Sequence, residues 1–258
     1  MPKANDYAIL FDASHCTGCR ACQVACKQWN DLPGEATANT GSYENPPSLS
    51  SSTWLRMKYT EGVDRGEVFW DFTRDSCMHC SSAACVEACP TGAVNYREGG
   101  VVTVDQDWCI GCRNCVQACP YDAIHFDEQK GVVDKCTLCY DRVSNGLEPA
   151  CVKACPTGAL HSGSYAEMKQ LAETRLAQLK SAGYAEANIY GLTEMGGTHV
   201  LYVLLKHPSA YGLPVGTVTE KRKVASGWLS AGIAAAVLGF AGVRWVTERR
   251  EERGGERG

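Results

Sequence analysis

The chain has 258 residues, a formal net charge of −4 and 16 cysteines. With 45% hydrophobic and 21% charged residues it is expected to fold rather than stay disordered, and without a long soluble basic patch it does not read as a nucleic-acid binder. Its opening residues, MPKANDYAILFDASHC, lack a basic stretch followed by an apolar run, so no secretory signal is expected in the chain itself.

The first feature along the chain is a run of cysteines, Cys16, Cys19, Cys22 and Cys26, spaced C-x2-C-x2-C-x3-C. Residues 27–76 form an insertion. Its 39–53 stretch is rich in Ser, Pro and Asn and reads as an irregular loop. Residues 54–59 and 67–72 read as a hairpin with alternating aromatics, either core packing or a docking patch. A second cysteine run follows at Cys77, Cys80, Cys85 and Cys89, with the middle gap widened to four residues. The turn at 98–100 and the apolar VVTV at 101–104 signal a strand. The third run, Cys109, Cys112, Cys115 and Cys119, repeats the spacing of the first. AIHF at 123–126 and Val132-Val133 flank a polar turn and read as a second hairpin. The fourth run, Cys136, Cys139, Cys151 and Cys155, has a middle gap of eleven, and no cysteine is left over. Residues 165–182 read as an amphipathic helix with Met168, Leu171, Leu176 and Leu179 on one face. Residues 199–205, HVLYVLL, read as a buried strand.

These runs are copies of a few units. CVEACPTGAV at 85–94, CVQACPYDAI at 115–124 and CVKACPTGAL at 151–160 are one repeat; CTGCRAC at 16–22 matches CIGCRNC at 109–115. Gly18 and Gly111, at the same place in the matched pair, are expected to adopt a positive φ or to admit a close approach. Disulfides require no such repeat, and structural zinc takes two separated pairs rather than runs of four. Four thiolates around a cubane fit better. A tight loop with cysteines three apart wraps three corners, and a remote cysteine supplies the fourth. Pro90, Pro120 and Pro156, each directly after a run's last cysteine, force a bend there. The expectation is four [4Fe–4S] clusters. The expected fold class is α+β: two ferredoxin-like modules, small helices and hairpins around clusters, with little aliphatic core because ligation replaces much of it.

Near the end, residues 224–243 carry no charge. At about 1.5 Å per residue they span about 30 Å, the thickness of a hydrocarbon core. Lys221, Arg222, Lys223 and Arg244 bracket the stretch, Trp228 and Trp245 sit near its ends, and Gly227, Ala231, Ala235 and Gly239 form a small-residue ridge. A single transmembrane helix within 221–246 is expected, after an electron-transfer domain at 1–220 that includes a helix–strand extension at 161–220, and before a charged tail at 247–258. Five arginines on the C-terminal side against three basic residues before the span lean toward a cytoplasmic tail.

The remaining candidates are few. No Gly-rich loop opens a helix after a strand, so no NAD or flavin site is indicated. His79 lies inside C-M-H-C and reads as a hydrogen-bonding neighbour of sulfur rather than a ligand. His15, His125, His161, His199 and His207 show no paired acid or nucleophile. Lys135, Lys153, Arg20 and Arg113 flank cysteines, either offsetting anionic clusters or as solvated charge.

The chain resembles the four-cluster, ferredoxin-type electron-transfer subunits of membrane oxidoreductases of the molybdopterin class, with the likeness running to the beta subunit of membrane-bound formate dehydrogenase. The stretches CTGCRACQVACKQWN (16–30), CMHC (77–80), KCTLCYDRV (135–143), EPACVKACPTGA (148–159) and GGTHVLYV (196–203) carry it, with the C-terminal helix. The likeness covers nearly the whole chain. It implies that the fourth cysteine of each run crosses to a partner run. Cluster 1 would be held by Cys16, Cys19, Cys22 and Cys155; cluster 2 by Cys26, Cys136, Cys139 and Cys151; cluster 3 by Cys77, Cys80, Cys85 and Cys119; and cluster 4 by Cys89, Cys109, Cys112 and Cys115. Cys26 departs from the pattern, since Lys27 and not Pro follows it. The resemblance implies a wire with no substrate-converting site of its own. Electrons would pass singly from a catalytic alpha subunit bearing a Mo/W-pterin to a membrane cytochrome b, the gamma subunit, that reduces quinone. The alternative is the same wire in a hydrogenase or a sulfur-compound or nitrate reductase. The implied location is a prokaryotic cell membrane, crossed once, with the cluster domain on the periplasmic face and exported together with its catalytic partner.

Overall fold

The structure is a computed structural model that describes residues 1–38, 40–64 and 66–216. Along the chain, strand β1 (Tyr7–Asp12) leads into helix α1 (Ala21–Trp29) and a long hairpin, β2 (Leu55–Asp64) and β3 (Glu67–Ser76). Then come α2 (Ala84–Glu87), β4 (Val94–Tyr96), β5 (Val102–Val104), α3 (Asn114–Ala118), β6 (His125–Asp127) and β7 (Val132–Asp134). Two short helices follow, α4 (Tyr140–Val143) and α5 (Ala150–Lys153). The described part closes with β8 (Leu160–Ser164), α6 (Tyr165–Ser181), β9 (Asn188–Tyr190) and β10 (Val200–Leu204). No helix among the described residues is long and apolar enough to cross a membrane. The expected transmembrane stretch at 224–243 lies outside the described residues.

A four-stranded sheet, ordered β8-β1-β10-β9, organises the chain. Its centre is the parallel pair β1–β10, with Ile9 opposite Val200 and Phe11 opposite Tyr202; β8 and β9 flank it antiparallel. Both central strands are apolar at every position from Ala8 to Phe11 and from Val200 to Leu204 because both of their faces are covered. Side chains alternate across a strand. Ala8, Leu10, Leu201 and Val203 therefore meet Tyr165, Met168, Ala172 and Leu179 of α6. Ile9, Phe11, Val200, Tyr202 and Leu204 turn the other way, into a core that includes Cys22, Cys26, Cys85, Cys115 and Cys151. At about 1.5–3 kcal/mol for each large apolar side chain buried, this sheet is a principal source of stability. The expectation of little aliphatic core is thus corrected. Runs one to four wrap one face of a sheet that is itself well packed.

Helix α6 begins where the pattern placed it. Ser164 Oγ accepts from the Glu167 N–H at 3.3 Å, and the Glu167 carboxylate accepts from the Ser164 N–H at 3.0 Å, a capping box. Met168 and Leu179 are buried as expected, and Leu171 and Leu176 are partly buried beside them; Tyr165 and Ala172 complete the face. The β2–β3 hairpin is longer than expected, pairing Leu55 with Ser76 through to Asp64 with Glu67. Its aromatics Tyr59 and Trp70 meet Tyr43, each other and Phe72 at ring separations of 5.0–6.0 Å. The group is half core and half surface, with Trp70 46% exposed. The hairpins β4–β5 and β6–β7 each follow a Cys-Pro unit, as the repeat predicts.

A candidate iron–sulfur wire

Each short cysteine loop is shaped by left-handed residues. Gly18 and Arg20 in the first run have φ of 65° and 63°; their counterparts Gly111 and Arg113 have 66° and 62°. His79 in the second run and Leu138 and Cys139 in the fourth share that conformation. Left-handed residues within such a turn bring successive backbone N–H groups to one side, a concavity suited to an anionic group. Both glycines also permit a close approach. A Cβ at Gly111 would lie 2.4 Å from the Gly131 carbonyl oxygen, and one at Gly18 would lie 2.8 Å from the Phe72 ring.

The sixteen thiols are all unbridged, and their mutual influence falls into groups. Burial raises the Cys80 thiol, and Cys77, Cys85 and Cys119 raise it further. Burial and then Cys136, Cys151 and Cys139 push Cys26 well above the ordinary thiol range. Burial, Cys89, Cys109 and Cys112 push Cys115 to about 11. Cys16 is pushed to about 11 by burial and by Cys155 and Cys19, against a lowering contact from the Gly18 N–H. Two groups surround cavities. Cys77, Cys80, Cys85 and Cys119 line one. Cys26, Cys136, Cys139 and Cys151 line the other.

The groups also touch in sequence. Cys151 raises Cys22, Cys136 raises Cys77, and Cys115 raises Cys85. α1, bearing Cys22 and Cys26, packs on α5, bearing Cys151; α2, bearing Cys85, packs on α3, bearing Cys115. Grouped as the family resemblance implies, the thiols have a neighbour order with Cys16, Cys19, Cys22 and Cys155 at one end and Cys89, Cys109, Cys112 and Cys115 at the other. Exposure follows that order. Seven of the eight inner thiols are buried and only two of the eight outer ones, while Cys19 and Cys112 at the two ends are exposed.

Donors are already directed at sulfur. The His79 N–H donates to Cys77 Sγ at 3.5 Å, the Ala123 N–H to Cys119 Sγ at 3.4 Å, the Leu138 N–H to Cys136 Sγ at 3.4 Å, and the Val94 N–H to Cys89 Sγ at 3.5 Å. Asn30 Nδ2 lies 3.8 Å from Cys26 Sγ. Bonds of this kind tune a cluster's potential.

Charged and polar neighbours divide in the same way. Lys135 is fully buried; its Nζ donates to the Val102 and Cys136 carbonyls, and its charge lowers Cys77, Cys85 and Cys119 against the burial that raises them. Of the two readings of Lys135, burial selects charge compensation. Arg113 instead lies at the surface, paired with Glu128 at 2.9 Å and stacked 3.8 Å from the Phe126 ring centroid. Arg20 stacks on Tyr59 and donates to its hydroxyl at 2.9 Å, and Lys153 is exposed. His79 is fully buried, and its Nδ1 accepts from the Val102 N–H at 3.1 Å. Burial, with Lys135, His199 and Arg74, holds its pKa well below the ordinary value. The ring is therefore neutral with its proton on Nε2. That Nε2 has no partner among the described residues, and His79 lines the cavity of Cys77, Cys80, Cys85 and Cys119.

Two residues have surroundings that the sequence does not show. His199, read as lacking an acid, has its Nε2 3.3 Å from an Asp6 carboxylate oxygen, and its Nδ1 meets the His79 carbonyl at 2.7 Å. Arg74, in an ordinary-looking hairpin, is fully buried and lines the cavity of Cys26, Cys136, Cys139 and Cys151, with its Nε, Nη1 and Nη2 all without a well-formed hydrogen bond among the described residues. Unpartnered buried donors beside rings of thiols are what bound sulfur-bridged clusters would satisfy. The donor set and its surroundings fit [4Fe–4S] ligation. The raised thiols lose their protons when iron binds.

The fold and the thiol groups define an iron–sulfur electron-transfer protein of the ferredoxin type. A family profile for a 4Fe-4S dicluster domain matches residues 68–165, and another of the same description matches 15–93. Together the two domains and the sixteen cysteines hold four [4Fe–4S] clusters. The iron–sulfur subunit of the nitrate-inducible formate dehydrogenase of Escherichia coli is 46% identical over 213 residues, covering 81% of this chain and 72% of the relative. The formate dehydrogenase-O iron–sulfur subunit of the same organism is 42% identical over 248 residues, covering 93% and 82%. A probable anaerobic dimethyl sulfoxide reductase chain from E. coli is 40% identical over 185 residues, covering 71% and 86%. The chain belongs to the family of formate dehydrogenase iron–sulfur subunits.

Proposed function

We propose that this chain is the electron-transfer subunit of a formate dehydrogenase complex, conducting electrons from a Mo/W-pterin catalytic subunit to a membrane cytochrome b and quinone. The observation that carries the reading is the line of thiol groups, with exposed cysteines only at its two ends, in a chain 46% identical to a formate dehydrogenase iron–sulfur subunit. The bound clusters supply one-electron storage. The protein's residues hold them in order, keep water from the inner two, and offset their charge.

The thiol grouping supports the ligand sets that the family likeness implies. These are Cys16, Cys19, Cys22 with Cys155; Cys26 with Cys136, Cys139, Cys151; Cys77, Cys80, Cys85 with Cys119; and Cys89 with Cys109, Cys112, Cys115. The proposed membrane anchor is residues 224–243, with the cluster domain on the periplasmic side. The uncharged length supports it, and so does a match covering 93% of the chain, which must run past residue 216. Loss of membrane retention after an alkaline wash is the expected result of deleting 224–243; full retention overturns the anchor.

The test of function is purification of the tagged chain from detergent-solubilised membranes, assayed for dye reduction. Formate-dependent reduction with a large pterin-bearing partner is the expected outcome. A stable complex inert to formate but active with hydrogen, or on a sulfoxide with a reduced dye, transfers the wire to another enzyme, the direction in which the sulfoxide reductase likeness points.

A further inference from the structure

Arg74 is a buried cation that no carboxylate meets among the described residues. It lies on β3 opposite Met57 and is 1% exposed. A buried guanidinium costs several kcal/mol unless an acid or several acceptors meet it. None does so among the described residues. Its chain neighbour Asp75 is held by Arg56 at 2.9 Å. Its own carbonyl accepts from Tyr202 Oη at 2.7 Å, and that neutral hydroxyl also lies near the guanidinium, but it supplies no counter-charge. All three guanidinium nitrogens lack a well-formed hydrogen bond.

Sulfur and one hydroxyl face the guanidinium. Its charge acts on the Cys151 thiol first, then on the Tyr202 hydroxyl, Cys136 and Cys22. Cys136 and Cys151 belong to the group that lines the same cavity as Arg74, and Cys22 belongs to the end group beside it. The side chain therefore stands at the seam between the end group and the first inner one, closer in chemistry to the inner.

We propose that Arg74 donates hydrogen bonds to the sulfurs of the cluster held by Cys26, Cys136, Cys139 and Cys151, and that its fixed charge raises that cluster's reduction potential above what the same ligands would give without it. A thiolate-ligated cluster is net anionic and gains a further negative charge on reduction. An adjacent guanidinium stabilises the reduced form more than the oxidised one, and its planar fork of donors suits two sulfurs at once. Arg74 is a positioning and tuning residue, not a catalytic one. The inference rests on the four-cluster reading above.

The experiment is an EPR-monitored redox titration of the purified complex carrying Arg74→Gln or Arg74→Lys, with iron counted in each. In Arg74→Gln, one of the four couples should show its reduced-to-oxidised ratio at the wild-type midpoint fall at least tenfold, about 59 mV for one electron. The couple of the neighbouring end cluster should move less, and the other two should stay within twofold. Arg74→Lys, which keeps the charge but not the fork, should lie between wild type and Arg74→Gln; if Arg74→Gln does not load the cluster, a threefold or larger fall in Arg74→Lys decides in favour. Unchanged or uniformly shifted couples overturn the proposal, as does loss of the same cluster from both variants, which would make Arg74 a folding residue. Iron content of the wild-type complex tests the four-cluster reading separately, so the two can fail independently.

Discussion

The first and third cysteine runs resemble each other closely, and in the proposed ligand sets each supplies three thiols to an end of the line; the second and fourth, with widened gaps, each supply three to its middle. The end groups keep Cys19 and Cys112 exposed, and the cations beside them, Arg20 and Arg113, lie over aromatic rings at or near the surface. The middle groups are shut away from water and have Arg74, Lys135 and the His79 Nε2 directed among them. Ligand type is constant along the wire; solvent exposure and buried charge are not. Those two quantities separate the potentials of otherwise equal clusters.

Removing a buried middle ligand should have the largest effect. Cys139→Ser should lose one cluster's iron and lower the melting temperature by about 10 °C or more, because ligation energy is folding energy and a few kcal/mol is about 2–4 °C each in a domain of this size. Cys112→Ser, at the exposed end, should lose its cluster with a far smaller thermal shift; equal shifts by calorimetry would erase the distinction between middle and end.

Next come the twin glycines. Gly111→Ala places a Cβ 2.4 Å from the Gly131 carbonyl at a φ of 66°, whereas Gly18→Ala meets the movable Phe72 ring. A left-handed non-glycine residue costs about 1–3 kcal/mol by itself, so Gly18→Ala should stay in that range and Gly111→Ala should exceed it, as measured by denaturant midpoints.

A smaller effect is expected where the sheet joins the first run. Asp12, at the end of β1, is buried, accepts from the Ser14 N–H at 3.0 Å and pairs with Arg175 of α6 at 2.8 Å. Burial would raise its pKa, but Ser14 and Arg175 outweigh burial and lower it. The unfolded carboxylate therefore binds protons at higher pH than the folded one. The stability from this group is present above the unfolded carboxylate pKa of about 3.9 and is lost as pH falls through the depressed folded value. Arg175→Ala should cost about 2–3 kcal/mol at neutral pH by leaving Asp12 unpaired, and should flatten the acid limb of the stability curve. An unchanged acid limb would show that the pair does not set it.

Least is expected of Arg113→Gln. Its pair with Glu128 is solvent-exposed, and such pairs contribute about 0–1 kcal/mol. A potential shift at the Cys109 end as large as that of Arg74→Gln would overturn the contrast between middle and end.

Much of the site was legible. Cluster chemistry, the repeat, the left-handed glycines, both small hairpins, α6 and the strand at 200–204 follow from spacing, turn residues and periodicity, which are local signals. Strand β1 was not seen as one. YAILFD is short, apolar on both faces and lacks an alternating pattern, so nothing local separates it from any buried run. Its partner lies nearly two hundred residues away.

What the sequence determined by itself is the number and spacing of the cysteines and the cluster type they suit, because a thiolate loop must place cysteines about three residues apart wherever it folds. The tertiary structure decided which groups became the middle of the line and which the ends. Burial and electrostatics are properties of surroundings assembled from distant segments: Arg74 acquires its role only when β3 brings it to the cavity that Cys26 of α1 and Cys151 of α5 also line, and no residue near it in the chain announces that sulfur will be among its neighbours.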